Sequence, residues 1–90
     1  MNIDYANLEE NLVDGTFRMN LQFELVDGFR DILDSGERLP TASHYASQIA
    51  EIVNRNAQPP LNADMAFNLY QEILLAVEGA RASVLDDVSR

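Results

Sequence analysis

The chain has 90 residues, no cysteine and a formal net charge of −9, with 15 acidic side chains against six basic ones. A chain of this length has room for one hydrophobic core, so we expect a single domain over residues 1–90. The missing cysteines exclude disulfides and cysteine–zinc sites, and the negative charge disfavours direct binding to nucleic acid phosphates or to anionic membranes.

The N-terminal segment predicts a short helix over residues 4–13. Tyr5, Leu8 and Leu12 recur at spacings of three and four, which is the helical period. Asp4 can cap the first turn, and Gly15 stands where a helix C-terminus favours a left-handed residue. The same stretch lacks the basic start and the apolar run of a signal peptide. A cytoplasmic protein is therefore expected.

Residues 17–34 fit two patterns. Apolar and polar residues alternate over 17–25, which is typical of a strand, and the preceding Asp-Gly pair suits a hairpin turn. In the second half, Phe29, Ile32 and Leu33 follow the 3.6-residue period instead. Residues 7–13 do not alternate and offer no partner strand, so a helix is favoured, even though Gly28 costs about 1 kcal/mol relative to alanine inside it.

A helix over residues 17–34 gathers four acids along one edge. They follow a 3-4-3 spacing and are Glu24, Asp27, Asp31 and Asp34. Like charges at these spacings repel by a few tenths of a kcal/mol each. The row is either an ordinary solvated face, partly neutralised by Arg30, or a surface whose repulsion a basic partner relieves. In the second case it can imitate the linear charge of a nucleic acid backbone.

Two further amphipathic helices are predicted over residues 41–56 and 62–88. Thr41 and Asn62 are their candidate N-caps, and a Pro-Pro pair at 59–60 separates them. The last helix could approach about 40 Å in length. Four helices with short connections predict an all-α bundle of three to four helices. An α+β fold with a short strand at residues 17–25 is the alternative.

The sequence contains no motif for catalysis, metal binding or cofactor binding. Its four glycines are scattered, which excludes the phosphate-binding loops, and residues 27–31 do not follow the calcium-loop pattern. His44 is the only histidine, and we expect it to be exposed opposite the apolar stripe of its helix. The paired carboxylates elsewhere lie off the apolar faces. We therefore predict no cofactor, no metal and no enzymatic activity.

Apolar residues cover more of the 17–34 helix than a core-facing stripe needs. Leu75 likewise points away from the apolar stripe of its own helix. Such a surplus often marks an interface, although a single exposed leucine is common and the 17–34 helix could also be central and wrapped by the other three. Arg81 falls within the apolar stripe of the last helix, and we expect it either to extend from the end of the core or to pair with an acid from another helix or subunit.

These features predict a non-enzymatic protein–protein interaction module that binds a basic surface of another protein. The predicted contact residues are Glu24, Asp27, Asp31, Asp34 and Leu75. Short acidic, cysteine-free chains are frequent among phage-encoded proteins that block host machinery, and nucleic-acid-processing proteins are natural targets because their surfaces are basic. A phage-type inhibitor in the host cytoplasm is therefore one specific form of this hypothesis. The alternative is an assembly subunit of a homo-oligomer or a virion, joined through the apolar surplus. Neither form binds nucleic acid or membrane directly.

Overall fold

The computed structural model describes residues 3–88, without the Val88 side chain. A 3-10 turn at Tyr5–Asn7 is followed by α1 (Leu8–Asp14), α2 (Thr16–Asp34), α3 (Ala42–Asn56) and α4 (Ala63–Val88). The part of the chain described contains no strand. The predicted all-α bundle is therefore confirmed, and the alternative with a strand at residues 17–25 is wrong.

Side-chain caps set the start of three segments, as the sequence predicted. The Asp4 carboxylate accepts a hydrogen bond from the Asn7 backbone N–H at 3.3 Å and begins the 3-10 turn. Thr41 Oγ1 accepts from the His44 N–H at 3.3 Å, and Asn62 Oδ1 accepts from the Met65 N–H at 2.8 Å. Each bond satisfies a donor that has no partner inside its own helix.

The turn between α1 and α2 is a helix junction, so the hairpin turn considered for Asp14 and Gly15 is wrong. Gly15 has φ +83°, in the left-handed region that glycine enters without strain. The Asp14 carboxylate accepts a 2.9 Å hydrogen bond from the Thr16 backbone N–H and so caps α2. Hydrogen bonds from the Thr16 side chain and backbone lower the pKa of Asp14, since they favour its charged form.

The central helix is α4, and α1, α2 and α3 all pack against it. Its inward face is fully buried at Leu69, Ile73, Ala76, Val77, Ala80 and Val84. Two ion pairs join α2 to α4: Arg18 pairs with Glu72, and Arg30, later in α2, pairs with Asp87, later in α4. The helices α2 and α4 therefore run parallel, and α3, which connects them in the chain, runs in the opposite direction. The short helix α1 packs on α2 and α4. The central position considered for the 17–34 helix therefore belongs to α4.

The molecule is elongated, with principal extents of 42 × 21 × 19 Å. At about 1.5 Å per residue, the 26 residues of α4 span about 39 Å, close to the length predicted. One helix therefore runs along the whole bundle and provides the surface on which α2 and α3 lie side by side. Within the described residues, no helix is both long and apolar enough to cross a membrane.

Candidate protein-binding surfaces

The four predicted acids lie on one solvent-facing edge of α2, which we call the acidic row. Glu24, Asp27, Asp31 and Asp34 are all exposed. At about 1.5 Å per residue the row extends about 15 Å along the helix. Its carboxylates do not converge, and across residues 3–88 no three potential metal ligands come together to form a site. The geometry is that of a linear charged edge.

The two arginines of α2 pair with carboxylates of α4. Arg30 donates a 2.7 Å hydrogen bond to the Asp87 carboxylate on α4, and Arg18 Nε lies 3.4 Å from the Glu72 carboxylate. Arg30 was expected to neutralise part of the row; its guanidinium pairs with Asp87, and it lines the same groove as Asp27 of the row. The Arg30–Asp87 pair is about half exposed and so contributes little stability, whereas the Glu72 side chain of the other pair is only 24% exposed.

A second surface of α2 is apolar and exposed. Met19 is 55% exposed and Phe23 is 73% exposed, and half-buried Val26 continues the same line at helical spacing. We call these three residues the outer apolar stripe. With Ser83 of α4 they line a groove of about 700 Å³. Asp27 lines it as well, so the stripe and the acidic row are neighbours on α2.

A third surface is the groove between α2 and α3, with a volume of about 440 Å³. The two helices meet through an edge-to-face contact between Phe29 and Tyr45, whose ring centroids are 5.1 Å apart. Next to that contact the groove opens over apolar side chains. It is lined by Leu21, Glu24, Leu25 and Gly28 from α2 and by Tyr45, Gln48, Ile49 and Ile52 from α3. One member of the acidic row therefore stands directly on its edge.

Leu75 is 45% exposed on α4, pointing away from the core as predicted. Acidic-row residues line the two grooves described above, and Leu75 lines neither of them. The structure therefore does not bring Leu75 together with the acidic row. The predicted contact residues therefore form one continuous edge and one separate apolar position. Among the described residues, the exposed large apolar side chains that the sequence analysis did not name as contact residues are Val13, Met19, Phe23, Ile52, Phe67 and Leu85.

The remaining polar candidates lie at isolated positions. His44 is exposed on α3, as expected. Arg81 is half-buried at its place in the α4 stripe, and its Nε has no hydrogen-bond acceptor among the described residues. Neither residue lines one of the grooves described above.

No family model, curated protein or solved structure matches this chain.

Proposed function

We propose that this chain is a non-enzymatic protein-interaction module whose acidic row binds a basic surface of another protein. One observation supports this most strongly: the four carboxylates of the row are exposed on a single edge, whereas both arginines of α2 pair with α4. The charge of both arginines is thus partly neutralised by α4, and of the row only Asp27 lines the groove that Arg18 and Arg30 also line. An edge of one sign attracts a partner of the other sign and accelerates the encounter.

The energetics of the row favour a basic partner. Neighbouring carboxylates at i, i+3 and i, i+4 destabilise an isolated helix by a few tenths of a kcal/mol per pair, and a basic surface would remove this repulsion on binding. Nucleic-acid-processing proteins have such surfaces because they bind a linear array of phosphates. A row of four charges over about 15 Å suits the same sites, which is the basis for proposing an inhibitor of the phage type.

Affinity capture with matched variants tests this function. The row variant carries Glu24→Gln, Asp27→Asn, Asp31→Asn and Asp34→Asn. The control variant carries Glu10→Gln, Glu37→Gln, Asp64→Asn and Glu78→Gln, which are also exposed, and loses the same charge. From native host extract, wild type and control are expected to retain a common protein at about 0.1 M salt and to lose it near 1 M, where the Debye length falls to about 3 Å. Equal retention by the row variant would contradict the proposal.

A second candidate function, assembly with copies of itself, is favoured by the outer apolar stripe. Phe23 at 73% exposure and Met19 at 55% lie one helical turn apart, and exposed apolar patches mark interfaces more often than isolated side chains do. In that case sedimentation at micromolar concentration would give a discrete oligomer, and Phe23→Ser would dissociate it. A monomer whose mass does not change with concentration would remove this candidate and leave the first unaffected.

A further inference from the structure

We propose that the groove between α2 and α3 is a docking site for an amphipathic helix that carries lysine or arginine beside its apolar face. The inference rests on the proposed function, because it names the kind of partner element that a basic surface would present. It goes further by assigning the apolar half of the contact to a particular groove.

The groove forms because α2 and α3 pack on the same helix, α4. Both α2 and α3 pack on α4, and they approach each other at the Phe29–Tyr45 contact. Beside that contact, Leu21, Leu25 and Ile49 form a floor of buried side chains, and Ile52, 45% exposed, stands at the α3 wall. A ridge of side chains from another helix fits a groove between two helices. The occupant would lie beside α2 and α3 and cover Ile52.

Gly28 leaves open a part of this groove that a side chain at position 28 would fill. It lies in the middle of α2, where glycine is a poor helix former, and a Cβ built on it would meet nothing within 4 Å. It also lines the groove. The packing within the chain therefore does not require glycine at this position, whereas close approach of a second backbone does favour it.

The charge beside the groove selects the occupant. Glu24 lines its α2 side, and Asp31 is exposed three residues after Gly28, on the same side of the helix. The α3 side contributes the neutral Gln48. A second copy of this chain would bring a net charge of −9 to an acidic edge, which disfavours self-docking here. A partner helix with basic residues flanking its apolar face matches both the floor and the rim.

The test uses a labelled synthetic helical peptide of leucine and lysine with one apolar face, and a control peptide with glutamate in place of lysine. Fluorescence anisotropy is expected to show binding of the lysine peptide and not of the glutamate peptide. Gly28→Gln, which places a side chain in the groove, and Ile52→Ser should each weaken binding about tenfold or more. Phe23→Ser, which changes the outer apolar stripe, should leave it unchanged. Gly28→Gln adds a better helix former in open space, so its thermal melting should remain cooperative.

The outcomes separate this inference from the proposed function. If the row variant loses the peptide while Gly28→Gln and Ile52→Ser keep it, the groove is not the site and the acidic row still is. If the lysine peptide does not bind, or both peptides bind equally, the inference is overturned, and capture of a host protein still tests the function. In NMR titrations the inference predicts the largest shifts at Leu25, Ile49 and Ile52. Shifts centred on Met19 and Phe23 would overturn it.

Discussion

Gly28 and Gly79 both lie inside long helices, but their surroundings differ. A Cβ at Gly28 would meet nothing within 4 Å, whereas one at Gly79 would lie 2.7–2.8 Å from the side-chain amide of Gln22. Gly28→Ala is expected to raise the free energy of unfolding by about 0.5–1 kcal/mol, because alanine is the better helix former. Gly79→Ala should gain less, since Gln22 must first move. Urea unfolding measures both, and an equal gain at the two positions would contradict the close α2–α4 approach at Gly79.

Asp14 links the stability of the α1–α2 junction to pH. Its hydrogen bonds with Thr16 lower its pKa in the folded state. The stabilisation it contributes is therefore complete above the unfolded-state pKa and is lost as the pH falls through the lower folded value. We expect Asp14→Asn to reduce the dependence of stability on pH in the acidic range. NMR titration of the Asp14 carboxyl carbon gives the folded pKa directly, and a value at or above that of an unstructured peptide would contradict the cap.

At the scale of the element, α4 has one buried and one exposed side, and an apolar residue on each side allows the two to be compared. Ile73 is fully buried, whereas Leu75, two residues later, is 45% exposed. Ile73→Ala should cost about 2–5 kcal/mol, because it leaves a cavity in the core on the fully buried face of α4. Leu75→Ala should cost well under that amount. Thermal unfolding of the pair tests whether α4 is the central helix; similar losses at both positions would contradict its placement.

The strand-like alternation over residues 17–25 has a physical explanation in α2. In a helix, residues two apart lie about 200° apart, so alternate apolar residues separate onto opposite faces. Phe17, Leu21 and Leu25 are buried, while Met19 and Phe23 are exposed. The alternation is thus the sum of a core stripe and an outer apolar stripe. The apolar surplus was predictable from the sequence, but its exposed members were not, because the pattern alone does not say which stripe meets α4.

For the whole molecule, the boundaries of the three long helices and the acidic row could be predicted because they depend on local signals, whereas α1 begins at Leu8 after a 3-10 turn and not at residue 4. Caps at Asp4, Thr41 and Asn62 involve residues three positions apart, and the row needs only the helical period. The direction of Arg30 could not be predicted, since its partner Asp87 is 57 residues away. The groove beside Gly28 was equally hidden, because its walls come from α2 and α3 and their separation is set by how each packs on α4.

The measurement that most directly tests binding through the acidic row is the salt dependence of the dissociation constant for the captured partner. Wild type, row variant and control variant would be compared between about 0.1 M and 1 M salt. We predict that wild type and control weaken steeply as salt rises, and that the row variant binds more weakly at low salt with a much flatter slope. If the row variant kept the wild-type affinity and slope, the partner would bind elsewhere and the acidic row would be an ordinary solvated face.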